Sequence, residues 1–172
     1  MAERDFLTEH LSAEHSKAQT MYLVRWIGRD AGRLAALLEI FLGDNYRLTQ
    51  RSAWVLRYVG EQAPTLLAPW LPNLVAMLRR PGAHAAVQRN ILNVFEVIEI
   101  PPVLEDELAD CCFQYLADPR AAAALRASSI RILDKICRRM PELRLELNML
   151  LEEHLEHGPA SFRSRARKVL KQ

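Results

Sequence analysis

Two interleaved ladders of proline limit what this chain can fold into more than any other feature. Pro64, Pro102 and Pro141 are separated by 38 and 39 residues, and Pro81, Pro119 and Pro159 by 38 and 40. One period shared by two ladders implies a repeating unit of two segments, each opened by a proline. Proline suits the first turn of a helix, where its missing N–H costs nothing, and it stops the helix before it. The expectation is a run of helical hairpins.

The stretches between prolines carry helical periodicity. Leu34, Leu37, Leu38, Phe41 and Leu42 fall at i, i+3, i+4, i+7 and i+8. Leu67, Leu71, Leu74 and Leu78 give i, i+4, i+7 and i+11, as do Val87, Ile91, Val94 and Ile98. Phe162, Ala166, Val169 and Leu170 continue the pattern near the C-terminus. No run alternates long enough for a strand, and there is no Asn-Gly or Asp-Gly hairpin turn. Helices are predicted at 5–14, 17–28, 30–43, 45–61, 64–79, 84–99, 102–117, 121–139, 141–157 and 159–171. No Gly/Ser/Pro linker divides the chain, so one domain of residues 1–172 is expected. A lone hairpin cannot bury its apolar face, so neighbours must stack.

No stretch approaches the ~20 uninterrupted apolar residues of a membrane span. The opening MAERDFLTEHLSAEH is acidic and amphipathic, unlike a secretory leader. Cys111 and Cys112 are adjacent and Cys137 stands apart, which implies small core residues rather than a disulfide framework. A cytoplasmic protein is expected.

Three segments resemble HEAT repeats. LLAPWLPNLVAMLRRPG (66–82) is similar to a first helix, with leucines and internal prolines. LADPRAAAALRASSIRIL (116–133) is similar to the turn into a second helix, with Asp118 and Arg126 near positions where such repeats carry Asp and Arg. LGDNYRLTQRSAWVL (42–56) offers Asp44 and Arg51 likewise, and Arg89 and Arg163 continue the arginine series at spacings of 38, 37 and 37. The resemblance covers roughly 30–172 and departs from the pattern at RPGAH (80–84) and at Gly158-Pro159, where the turn aspartate is missing. It implies an all-α, right-handed α–α superhelix of about four hairpins (30–62, 64–100, 102–139, 141–172), with N-terminal helices over 1–29. It also implies that second helices line a concave surface and that turn-proximal arginines hydrogen-bond the turn between helices.

The formal charge is only +2, but its distribution is uneven. Residues 90–119 hold no Lys or Arg, while the next helix carries Arg120, Arg126, Arg131, Lys135, Arg138 and Arg139 against Asp134. Helix 141–157 is acidic again, and the last segment carries Arg163, Arg165, Arg167, Lys168 and Lys171 with no acid. First helices are thus acidic and second helices basic in the C-terminal half. These read either as solvated faces or as a basic groove for an acidic peptide, protein or phosphate backbone.

The candidate partner-binding residues are Arg51, Trp54, Tyr58, Arg89, Arg126, Arg131, Lys135, Arg163 and Arg167. Trp54 also fits the apolar stripe of Val55 and Val59, which favours a core position, and Trp26 and Trp70 read as structural. No phosphate-binding glycine loop, GxSxG elbow or HExxH motif is present. His154 and His157 read as solvated surface residues rather than metal ligands. A non-catalytic scaffold for an acidic protein partner is therefore expected, without cofactor, metal, membrane or small-molecule substrate. The alternative is a nucleic-acid binder related to the HEAT-like alkylpurine DNA glycosylases.

Overall fold

The computed structural model describes residues 2–171. Among them all regular structure is helical: α1 (Ala2–Ala13), α2 (Lys17–Ile27), α3 (Ala31–Phe41), α4 (Tyr46–Gln62), α5 (Pro64–Leu67), α6 (Leu71–Leu78), α7 (Ala85–Val97), α8 (Glu105–Ala117), α9 (Ala123–Ile136), α10 (Arg144–His154) and α11 (Ala160–Val169). Each expected helix is present within a few residues, except that 64–79 is broken. A 3-10 turn at Ala68–Trp70 separates α5 from α6. Pro69 and Pro72 lie at the break, and each lacks the N–H that would extend the α-helical ladder.

The two proline ladders do different work, which corrects the expectation that both open helices. Pro64 is the first residue of α5, and Pro102 and Pro141 begin 3-10 turns that lead into α8 and α10. Pro81 and Pro119 instead lie in turns, and Pro159 is the residue just before α11. Side chains cap the earlier helices: Ser16, Asp30 and Asn45 accept hydrogen bonds from the backbone N–H of Gln19, Arg33 and Leu48.

The chain divides into two compact units, Met1–Ile98 and Glu99–Gln172. In the first, α4 lies between α2 and α7 and also packs on α3, while α1 packs on α3 and α6 on α7. Leu23, Leu34, Leu37, Phe41, Leu56, Leu71 and Phe95 are among the side chains sealed in its core. The approach of α4 to α7 depends on Gly60. A Cβ there would meet Val94 Cγ1 at 3.2 Å and Leu67 Cδ2 at 3.3 Å, tighter than ordinary packing.

In the second unit α9 lies between α8 and α11, and α10 packs on α8 and α9. Cys112, Ile130, Leu133, Ile136, Leu147 and Phe162 are fully buried. Two ionic clamps tie its helices together. Arg139 pairs with the buried Glu105 and donates to the Ile100 carbonyl at 2.6 Å. Arg144 at the start of α10 donates to the Asp134 carboxylate at 2.8 Å, and Arg138 lies 3.5 Å from the same carboxylate. At the α10–α11 turn the chain passes so close to Phe162 that only glycine fits. A Cβ on Gly158 would meet the ring at 2.6 Å and the His154 carbonyl at 2.9 Å.

Candidate functional site

The arginine series at 51, 89, 126 and 163 meets four different fates. Arg51 reaches back to α1, where its guanidinium donates to the carbonyls of Leu11 and, at 3.0 Å, Ser12. Those oxygens lie at a helix C-terminus and lack intrahelical partners. Arg126 is only 2% exposed. Its Nη2 donates to the Leu116 carbonyl at 3.2 Å, and its guanidinium carbon sits 4.5 Å from the centre of the Phe162 ring. Burial lowers its pKa, and nearby Asp118 opposes that shift. Asp118 itself accepts from the Arg120 N–H at 2.9 Å, shaping the same turn. Arg126 therefore holds the α8–α9 turn, as the resemblance implied for such arginines, and is not part of any exposed surface. Arg163 is half-buried on α11, and Arg89 is exposed on α7.

Trp54 departs from the core position that its apolar neighbours favoured. Val55 and Val59 are buried, but Trp54 lies at the edge of that stripe and is half-buried. It lines a cleft of about 110 Å³ with His15, Gln50, Ala86, Arg89 and Asn90, all within the first unit. The ring of His15 covers one part of the indole, with centroids 5.1 Å apart. Tyr58, four residues on, turns to Arg57, whose guanidinium lies 5.2 Å from its ring centre. The expected patch of Arg51, Trp54 and Tyr58 is thus dispersed, and Arg89, His15, Gln50 and Asn90 assemble around Trp54 instead.

Of these, Asn90 gave a signal in the sequence: a carboxamide inside the apolar stripe of Val87, Ile91 and Val94. It is 3% exposed. Gln50 precedes Trp54 by four residues on α4, the spacing that puts both on one face, whereas His15 lies in the connection between α1 and α2, which no spacing rule ties to Trp54.

On the second unit the basic helices are thinner than their sequence suggests. Arg139 is engaged by Glu105, Arg138 by Asp134 and Arg120 by Asp118. Arg131 remains exposed on α9, and Lys135 is half-buried there. Burial lowers the Lys135 pKa most, and the positive charges of Arg139 and Arg138 add to it against Glu99. On α11, Arg167 and Lys168 are exposed. The acids of the other two helices are largely solvated: Asp106, Glu107 and Asp110 on α8, and Glu146, Glu152 and Glu153 on α10.

All three cysteines are buried free thiols. Burial pushes the Cys112 pKa far up and raises that of Cys137, so neither is a reactive thiolate. His154 packs edge-on against Phe162, with centroids 6.4 Å apart. Among the described residues no cluster of His, Cys, Asp or Glu is placed to hold a metal. None of their helices is long and apolar enough to cross a membrane.

A model of the HEAT repeat domain matches residues 7–172. The chain belongs to the HEAT-repeat family. That family accounts for the all-α architecture as an α–α solenoid. The match begins in α1, well before residue 30, so the N-terminal helices fall within the HEAT-repeat region as well. HEAT repeats generally serve as protein-interaction scaffolds and are typically non-catalytic. No curated protein and no solved structure matches the chain at a significant level.

Proposed function

We propose that this HEAT-repeat protein is a non-catalytic scaffold that presents the basic side of its second helices to an acidic protein partner. The observation that carries the reading is the sorting of exposed charge on the second unit. Helices α9 and α11, which pack on each other, expose Arg131, Arg167 and Lys168. The acids are exposed on α8 and α10 instead. A surface of one sign speeds encounter with a partner of the other and disfavours wrong partners. Buried free thiols suit a reducing compartment, so the cytoplasm is the proposed location.

The test is binding of a fluorescein-labelled polyglutamate peptide, followed by anisotropy across a salt series. The variant that reverses charge at Arg131, Arg167 and Lys168 (each →Glu) runs beside it. Arg126 is left intact, because reversing a buried guanidinium would unfold the unit rather than change its surface. Binding by the native protein and its loss in the variant are the expected results. The α11 cations, which have no acid among them, also favour a second reading, a phosphate backbone. Duplex DNA binding would show a log–log salt slope of about −0.9 for each phosphate contact. Steep DNA binding without peptide binding would replace the first reading with the second.

A further inference from the structure

We propose that the cleft between α4 and α7 is a receptor for a carboxylate side chain, an aspartate or glutamate of an acidic peptide laid across the two helices. The proposal rests on reading the chain as a binder of acidic protein, and it adds a specific pocket on the first unit.

A nearly enclosed carboxamide lines the cleft. Asn90 is 3% exposed, and neither of its amide atoms is among the sealed side-chain atoms that lack a partner, so the amide keeps a face to the cleft. Its N–H donors can there meet a ligand atom. Trp54 lines the same space with its indole. Gln50 adds a second amide, and Arg89 stands exposed beside them with a fixed fork of donors.

No carboxylate lines the cleft, so nothing within it neutralises Arg89. The available groups are mainly donors, which calls for a ligand that mainly accepts. An ionised carboxylate is acceptor-only, with two oxygens, and it pairs with arginine in a bidentate, charge-assisted geometry. Size agrees with this choice. A volume of about 110 Å³ suits one side chain, against the ~300 Å³ or more of a small-molecule site. A nucleobase fits less well, because His15 already occupies part of the Trp54 face that stacking would need.

The experiment uses the full chain labelled with ¹⁵N and follows its three tryptophan indole N–H signals. Trp54 is assigned from Trp54→Phe. The probes are an acetylated, amidated peptide of alternating glycine and glutamate, its glutamine counterpart, and a short DNA duplex. The Trp54 indole signal is expected to move with the glutamate peptide and not with the glutamine peptide. Arg89→Gln should weaken that response about tenfold. Asn90→Leu should abolish it while leaving the thermal midpoint close to that of the native protein, since an apolar group of similar size takes the place of the amide.

A Trp54 signal that stays still, or moves equally with the glutamine peptide, overturns the proposal. So does a signal that moves only with DNA. A clear fall in the melting midpoint of Asn90→Leu would make Asn90 structural and would also overturn it. The charge-reversed α9/α11 variant separates this result from the broader reading. If it still shifts the Trp54 signal, the cleft stands without the α9/α11 face. If polyglutamate binding is lost in that variant and the native Trp54 signal never moved, the face stands without the cleft.

Discussion

Arg126 shows how one side chain can serve packing and polarity together. Its planar head lies over Phe162 on α11 and satisfies a carbonyl at the end of α8. Arg126→Ala should cost about 3 kcal/mol in urea denaturation, because it strips a partner from a buried carbonyl and opens space above the ring. Arg131→Ala, on the exposed side of the same helix, should change stability by no more than ~0.5 kcal/mol. Gly158→Ala should destabilise by about 1–3 kcal/mol, since the added methyl meets both a ring and a backbone carbonyl. At this scale the sequence was uneven. The role of Arg126 could be read from its place in the arginine series. The half-exposed setting of Trp54 could not, because a stripe of valines beside it gives the same pattern for a core residue and for one at the edge of the core. Nor could the partners of Arg51, which lie 39 and 40 residues away.

Helices were more legible than their ends. All but the broken 64–79 segment were located, since a face of apolar residues at helical spacing has few other uses. The prolines were harder to interpret, because the same residue can begin a helix or merely terminate the one before. Only the structure separates Pro102 and Pro141, which lead directly into helices through a 3-10 turn, from Pro81 and Pro119, which remain in turns. The break within 64–79 follows from Pro69 and Pro72 together. The capped helices offer a direct check. Asn45 accepts from the Leu48 N–H at the start of α4, so Asn45→Ala should lower stability by about 1 kcal/mol while Asn45→Asp should not. Comparing the urea midpoints of the two variants tests this. The first hairpin, α1–α2, escaped the repeat reading because it carries no proline ladder and opens α2 with a serine cap instead.

For the whole molecule the buried thiols fix a pH response. The Cys112 and Cys137 pKa values are raised by burial, so the folded chain keeps their protons where the unfolded chain releases them. The unfolded thiol value is about 8.5. Stability contributed in this way is complete below that pH and falls as pH rises above it. The slope approaches ~1.4 kcal/mol per pH unit for Cys112, and Cys137 adds in the same direction. Urea midpoints measured at pH 7, 9 and 10 should therefore decline, and alanine at both positions should flatten that decline. A chromogenic disulfide reagent should find no accessible thiol in the native chain and three after unfolding.

Gly60 gives the molecule a control that touches no ligand. A Cβ there would press on Val94 of α7, and the same two helices form the walls around Trp54 and Asn90. A methyl at position 60 would act as a wedge and α4 as a lever, with the wall spacing several residues away set by a group that never enters the cleft. Selectivity for aspartate or glutamate could then be tuned by adjusting an aperture, leaving every recognising side chain in place.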